Sequence, residues 1–245
     1  MNLSRLSLTI LMICLAAPLS IAQQTTPTPS STPAPAQQQQ AAQPAALAVD
    51  EWGDDFNGKE LDQTKWERFT FEGGGGGKFE VKEGQLRMRS MSGSRAGVRS
   101  KQAFTGDRFI VEATIGHVGS ALPEPGSSGV PLGNAIVTIL FDGSGRNRIE
   151  WLLTSEGTFE AWSMIDGRGE RLDNRKLATK IKNPTLSIMR KGDEFFFALN
   201  GQIGLQSTIK NQPHSFHVML YGFGSSENNW DAVHVVTPKQ AQARQ

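Results

Sequence analysis

Cysteine is almost absent from this sequence of 245 residues, in which Cys14 is the single example. Because Cys14 lies in an N-terminal segment that we expect to be cleaved off, the mature protein would contain neither a disulfide nor a reactive thiol. The fold must then rely on its hydrophobic core, which roughly 190 folded residues are enough to build.

Neither sign of charge is in excess. The chain has 25 basic and 24 acidic residues, and removal of Arg5 with the N-terminal segment would leave 24 of each. A protein without a basic excess lacks the long-range attraction that draws nucleic acid or an anionic membrane surface towards it. The composition therefore predicts no nucleic-acid partner.

A long hydrophobic run is also missing. The most apolar stretch, residues 6–19, is shorter than the roughly 20 residues that a membrane-spanning helix needs. Arg5 precedes this stretch, and Ser20 and Ala22 place small residues at the −3 and −1 positions of a cleavage site. The pattern predicts a signal peptide over residues 1–22, a secreted or periplasmic location, and no integral membrane segment after cleavage. A retained membrane anchor is the alternative.

The next segment, residues 23–48, has no charged residue and consists mainly of seven Gln, seven Ala, five Pro and four Thr. Such a composition cannot bury enough apolar surface to offset the entropy that is lost when the chain becomes ordered. The sequence therefore predicts a disordered linker here, a folded domain over residues 49–238, and a disordered tail over residues 239–245.

The folded part shows no helical period. Short runs rich in β-branched and aromatic residues recur from residue 79 to residue 237, with turn residues between them, which is typical of a β-sandwich or a barrel. The clearest signal is a three-strand meander whose turns are Gly192-Asp193 and Asn200-Gly201. In this register Ile188 faces Phe197, so we expect one apolar face on the meander.

Several motifs resemble the concanavalin A-like lectin/glucanase superfamily, which includes laminin G-like and laminarinase-like jelly rolls. The domain opens with Asp-Phe-Asn-Gly at residues 55–58, Leu-Asp at residues 61–62 and a Trp at residue 66. The later matches are a strand at residues 84–88, a hairpin at residues 190–193 and 199–201, and two closing strands at residues 220–224 and 230–235. The resemblance implies an all-β fold, a two-sheet antiparallel jelly-roll β-sandwich. It also implies that Trp52, Trp66 and Trp230 are core aromatics.

The hairpin over residues 147–165 is the main site candidate. With its turn at residues 155–157, Glu150 pairs with Trp162 and Leu152 pairs with Glu160. We expect one face to be buried, formed by Ile149, Trp151, Leu153, Phe159, Ala161 and Ile165. The other face would show Arg148, Glu150, Glu160 and Trp162 side by side, with His217 or Tyr221 at the flank.

An exposed aromatic ring beside charged hydrogen-bonding groups suits a sugar, whose C–H face stacks on the ring while its hydroxyls bind the polar groups. The sequence therefore favours a secreted, lectin-like domain that binds polysaccharide through its concave face and loops without catalysis. A plain solvated strand face with a cross-strand Arg–Glu pair is the alternative structural interpretation.

Two other functions stay open. The retaining glucanases of the superfamily carry carboxylates at alternate positions of one strand, and here Leu152 stands where the middle carboxylate belongs. Glu150 and Glu160 are nevertheless diagonal neighbours, with backbones roughly 7–8 Å apart, so a laminarinase-like glycoside hydrolase is the alternative. A cell-surface domain that binds a protein partner through its loops is the third interpretation.

A structural calcium ion is implied by the resemblance, because members of the superfamily often hold one near the paired terminal strands. Asp54, Asp55 and Asp231 are the candidate ligands, and oxygen ligands suit this ion. Turns in which Asp side chains accept hydrogen bonds from loop amides would explain the same residues without a metal. No other cofactor is expected.

Overall fold

The computed structural model describes residues 49–71, 76–91, 95–120, 133–224 and 226–239, with only the backbone of residue 120. The expected signal peptide, the expected linker and all but the first residue of the expected tail lie outside these ranges. Every regular element within them is a β-strand. No helix in the described ranges is long and apolar enough to cross a membrane.

The chain forms sixteen strands in these ranges. In order they are β1 Val49–Asp54, β2 Trp66–Thr70, β3 Gly77–Lys82, β4 Gln85–Ser90, β5 Arg95–Ser100, β6 Phe104–Thr105, β7 Arg108–Ser120, β8 Asn134–Leu140, β9 Arg148–Thr154, β10 Thr158–Ile165, β11 Arg168–Lys176, β12 Thr185–Lys191, β13 Glu194–Leu199, β14 Gln202–Thr208, β15 Ser215–Phe223 and β16 Ser226–Pro238.

These strands make two sheets. Sheet 1 has the order β14-β13-β12-β7-β16-β4-β3, with β1 also paired to β16. Sheet 2 has the order β11-β10-β9-β8-β15-β5-β2, with β6 also paired to β15. All pairings are antiparallel, and strands distant in the chain lie side by side in both sheets. The expected all-β, two-sheet antiparallel sandwich is confirmed.

The predicted meander is present as β12, β13 and β14. Ile188 lies opposite Phe197, and both are fully buried. At the second turn Asn200 and Gly201 have φ angles of 50° and 76°, the left-handed values that a type I′ turn needs and that Asn and Gly tolerate. The register of Ile188 with Phe197 is closed by the first turn, where Gly192 has a φ angle of 64° between the paired residues Lys191 and Glu194.

The core fills the space between the two sheets, where alternate residues of each strand point inward. Trp66 and Trp230 are among its largest buried side chains, and Trp52 packs edge-on against Trp66 with ring centroids 5.2 Å apart. Burying each large apolar side chain stabilises the fold by about 1.5–3 kcal/mol. The expectation that these three tryptophans are core aromatics is confirmed.

Three strands are absent from the sequence prediction, namely β1, β2 and β11. Each is hydrogen-bonded along only one side, and β11 has charged residues at six of its nine positions. The charged residues of β11 leave it without apolar alternation, so the sequence pattern does not reveal this strand.

The hairpin of β9 and β10 has the predicted register. Glu150 lies opposite Trp162, and Leu152 lies opposite Glu160. One detail of its buried face is wrong: Ile165, expected in the core, is 43% exposed. It is the last residue of β10 and leads into the turn at Asp166 and Gly167, beyond the cover of sheet 1.

Candidate functional site

The outer face of sheet 2, turned away from sheet 1, carries all the side chains for which the sequence predicts sugar contact. Residues of β8, β9 and β15 alternate between the core and this face: Val137 and Ile139 belong to the core, whereas Ile136 and Leu140 belong to a second apolar group. We call this group the outer cluster. Its buried members are Phe71, Ile136, Leu140, Leu152, Met219 and Tyr221, and Phe69 and Trp162 pack against it partly buried.

A buried polar trio lies within the outer cluster. Arg148 Nε donates a 2.5 Å hydrogen bond to Glu150 Oε1, and the Tyr221 hydroxyl donates a second 2.5 Å hydrogen bond to the same oxygen. Arg148 and Glu150 are each only 6% exposed, and Tyr221 is 2% exposed. The expectation that Arg148 and Glu150 stand open beside Trp162 is therefore wrong.

The reason lies in the position of these residues in the sheet. Strand β9 is flanked by β8 and β10, and the ring of Phe71, from the far edge of the sheet, lies 4.6 Å from the Arg148 guanidinium. This contact between a cation and an aromatic face removes Arg148 from solvent while it favours the charged form. The ring of Phe71 therefore shields the Arg148–Glu150 ion pair from solvent.

The electrostatics of the trio keep Arg148 and Tyr221 each in one protonation state. Burial alone would lower the pKa of Arg148, but the Glu150 carboxylate outweighs it and raises the pKa overall. Burial, followed by the negative charge of Glu150, raises the pKa of Tyr221 well above its ordinary value. Arg148 therefore stays a cation, and Tyr221 stays a neutral hydroxyl that donates to Glu150.

The turn between β8 and β9 orients Arg148. Asp142 Oδ1 accepts hydrogen bonds from the backbone N–H groups of Ser144 and Gly145, and Oδ2 accepts one from Asn147. The Gly145 carbonyl then accepts a 2.5 Å hydrogen bond from Arg148 Nη1. Partial burial opposes the charge on Asp142, but hydrogen bonds from the side chains of Asn147 and Ser144 hold its pKa below the ordinary value.

Trp162 and Glu160 form the accessible part of the predicted site. The Trp162 indole N–H donates a 2.8 Å hydrogen bond to Glu160 Oε2, and Asn174 Nδ2 donates a 3.3 Å hydrogen bond to Glu160 Oε1. Trp162 and Glu160 are both half-buried. The hydrogen bond fixes the orientation of the indole, which leaves part of the ring in solvent.

Sequence reasoning missed Phe69, Phe71 and Gly97, which complete the outer cluster. Gly97 lies between Phe69 and Tyr221 in register, and a Cβ at this position would lie 2.1 Å from the Leu220 carbonyl oxygen and 2.4 Å from Tyr221 Cβ. Only glycine fits at this close approach of two strands. The rings of Phe71 and Tyr221 meet with centroids 5.1 Å apart.

His217 lies on the same face of β15 as Tyr221, four residues earlier. Its Nδ1 is 2.7 Å from the Ser100 carbonyl oxygen, and the side chain is half-buried. The structure therefore brings His217 and Tyr221 to one face but gives each a partner within the protein.

The two glutamates of the alternative hydrolase are diagonal neighbours, as the register predicts. Their surroundings differ: Glu150 is buried against a cation, whereas Glu160 holds an indole and an amide. A glycosidase needs one carboxyl group that exchanges a proton with substrate and one that reaches the anomeric carbon or its water. Glu150 is buried and its Oε1 already accepts hydrogen bonds from Arg148 and Tyr221, so little of this carboxylate is accessible to a substrate.

The three aspartates proposed as calcium ligands each have partners in the protein. Asp54 accepts hydrogen bonds from the Phe56 and Trp66 N–H groups, and Asp55 accepts one from the Asn57 amide. Asp231 accepts hydrogen bonds from the side-chain amides of Gln85 and Asn183. Among the described residues, no three His, Cys, Asp or Glu side chains form a group that could hold a metal ion. Calcium binding stays an untested prediction.

No protein-family model matches the chain, and no curated protein matches it in sequence. Solved structures are similar in fold. They include an endo-β-1,3-glucanase from Pyrococcus furiosus, with a TM-score of 0.60, 14% identity, and coverage of 80% of this chain and 95% of that one. A prokaryotic β-1,3-1,4-glucanase (lichenase) from a mouse hindgut metagenome gives a TM-score of 0.58, 13% identity, and coverage of 77% and 99%.

A β-glucanase from Bacillus licheniformis gives a TM-score of 0.57 and 11% identity, and the match covers 78% of this chain and 98% of that one. At such identities the likeness concerns the fold alone. The expected concanavalin A-like jelly roll is thereby confirmed.

Proposed function

We propose that this domain binds polysaccharide on the outer face of sheet 2 and does not cleave it. The observation that carries the proposal is the half-buried indole of Trp162, held by its 2.8 Å hydrogen bond to Glu160 beside an apolar cluster. A ring fixed in this way offers a flat apolar surface without losing side-chain entropy on binding. The solved structures of similar fold include glucanases, which supports a polysaccharide as the partner.

The roles of the predicted residues follow from their burial. Trp162 is the stacking surface, and Glu160 has acceptor capacity left for sugar hydroxyl groups because its oxygens are partly exposed. Arg148, Glu150 and Tyr221 form a buried, hydrogen-bonded group next to these two residues and give the site a rigid base. His217 lies at the flank, where its ring reaches the surface.

Absence of cleavage is proposed because Glu150, the better placed of the two candidate carboxylates for pairing with Trp162, is buried and hardly accessible to a substrate. Its Oε1 accepts two hydrogen bonds, one of them from a cation, so the negative charge is already neutralised. A substrate that engaged this oxygen would deprive Arg148 and Tyr221 of their buried hydrogen-bond partner, which is unfavourable. Leu152 occupies the position of the missing middle carboxylate.

The test uses the mature chain with soluble and insoluble polysaccharides, scoring both retention and newly released reducing ends. We expect retention without release. Trp162→Ala should abolish retention while the melting transition stays close to that of the parent protein. Phe196→Ala is the matched control, because Phe196 is a half-buried aromatic on the outer face of sheet 1. Equal loss in both variants, or unchanged retention in Trp162→Ala, contradicts the proposed site.

The two alternatives give distinct outcomes in the same assay. A glycoside hydrolase would release reducing ends, and the release would disappear in Glu150→Gln or Glu160→Gln. A protein-binding domain would show neither retention nor release and would bind a protein partner instead. We also expect the protein to be exported, and detecting mature chain that begins near residue 23 outside the cytoplasm would test this.

A further inference from the structure

The outer face of sheet 2 has more cations than carboxylates, although the whole chain is balanced. The strand registers place five cationic and three acidic side chains on this face in the described residues. They are Arg95, Arg99, Arg148, Arg171 and Lys176, against Glu67, Glu150 and Glu160. This local excess is invisible in the net charge of the sequence.

Two of the cations are already neutralised. Arg99 forms a 2.5 Å ion pair with Glu67, and Arg148 forms its buried pair with Glu150. In the part of the chain that the structure describes, Arg95 and Arg171 have no carboxylate within ion-pair distance. Both side chains are exposed. The free positive charge of this face therefore lies on Arg95, Arg171 and Lys176, with Glu160 as the remaining acid.

Arg171 is placed beside the proposed stacking surface. It lies opposite Trp162 in register, and its guanidinium carbon is 5.9 Å from the centre of the Trp162 ring. A sugar stacked on that ring would therefore have the planar guanidinium of Arg171 next to its substituents. A guanidinium binds a carboxylate through two parallel hydrogen bonds, a geometry that a neutral hydroxyl group cannot reproduce.

We propose that the polysaccharide bound on this face is a polyuronate, with a uronate ring on Trp162 and its carboxylate on Arg171. This inference rests on the proposed polysaccharide binding and adds the chemical class of the polysaccharide. Arg95 lies on β5 opposite Phe223, on the same face as Tyr221. It supplies a second exposed cation for another carboxylate of the same polymer.

The test compares polygalacturonate and alginate with their methyl esters, because esterification removes the charge and keeps the backbone. We expect both acids to bind at least tenfold more tightly than their esters at low salt, and the difference to shrink as ionic strength rises. Arg171→Gln should reduce affinity for the acids about tenfold and leave affinity for the esters unchanged. Arg175→Gln is the matched control, since Arg175 lies on the same strand in an ion pair with Asp173.

The outcomes separate the two proposals. Equal binding of acids and esters, or retention of a neutral glucan but of no uronate, overturns the polyuronate inference and leaves polysaccharide binding intact. An equal loss in the Arg171→Gln and Arg175→Gln variants also overturns it, because general charge would then be the cause. Retention of no polysaccharide removes both proposals together.

Discussion

The hydroxyl of Tyr221 on β15 donates a 2.5 Å hydrogen bond to the carboxylate of Glu150 on β9, across the intervening strand β8. Arg148 shares the same carboxylate oxygen. Side chains therefore link β9 directly to β15, in addition to the backbone pairing of both strands with β8. This arrangement makes the centre of the outer face a rigid, charge-balanced floor for whatever binds above it.

The first prediction concerns the ion pair within this trio. Glu150→Gln keeps the shape of the side chain but leaves Arg148 as a buried uncompensated cation, so we expect a loss of about 3–5 kcal/mol in the free energy of unfolding. The triple variant Arg148→Met, Glu150→Leu, Tyr221→Phe removes every polar partner at once and should stay within about 2 kcal/mol of the parent. Chemical denaturation measures both. A triple variant less stable than the single one would contradict this prediction.

The second prediction concerns Thr138, which lies opposite Glu150 on β8. Its hydroxyl is buried and has no hydrogen-bond partner in the described part of the protein. Thr138→Val removes this unsatisfied group at nearly constant shape, so we expect a gain of about 1 kcal/mol in unfolding free energy. Thr114→Val is the control and should be destabilising, because the Thr114 hydroxyl is 3.0 Å from that of Thr185. A Thr138→Val variant less stable than the parent would show that the hydroxyl is satisfied.

The third prediction concerns the pH dependence of the turn at Asp142. Because the folded state lowers the pKa of Asp142, its contribution to stability is complete above the ordinary value of about 3.9 and is lost as pH falls through the lowered value. We expect Asp142→Asn to be less stable than the parent at pH 7 and the difference to shrink at pH 3. Urea denaturation at both pH values measures it. A difference that grows in acid would contradict the assigned sign.

The fourth prediction concerns Gly97, where β5 and β15 approach closely. An added Cβ would overlap the Leu220 carbonyl oxygen, so Gly97→Ala must push the two strands apart. We expect a loss of about 1–3 kcal/mol in unfolding free energy and weaker retention on polysaccharide. Gly143→Ala, at a position with nothing within 4 Å of the added atom, should leave both properties unchanged. Identical effects in the two variants would remove the steric explanation.

The sequence predicts local pairings well, because turn chemistry and alternation act over short distances. The registers at Ile188 with Phe197 and at Glu150 with Trp162 were both predictable for this reason. The burial of Glu150 was not, because Phe71, which contacts Arg148, and Tyr221, which donates a hydrogen bond to Glu150, come from distant parts of the chain. From the sequence alone, charged residues at alternate positions of a strand predict a solvent-exposed face. Only the positions of residues distant in the chain show that such a face is buried.

The outer cluster was hidden for the same reason. Phe69 lies on β2 and Phe71 directly follows it, and the ring of Phe71 meets Tyr221 next to Gly97, where a side chain would not fit. A glycine in a strand pattern indicates a bulge or a close approach, but the partner in that approach depends on the sheet order. The pairing of β5 between β2 and β15 supplies this information, and no local pattern contains it.

If the domain binds polysaccharide as proposed, the charged strand β11 decides how neighbouring copies on one polymer behave towards each other. Among the described residues its outer edge has no neighbour in sheet 2, and most of its residues are charged. An open edge of this kind resists pairing with a strand from another molecule, because alignment would bring like charges together away from water. Domains that crowd along a single polysaccharide strand should therefore stay separate and reversible in their binding, without merging into a continuous sheet.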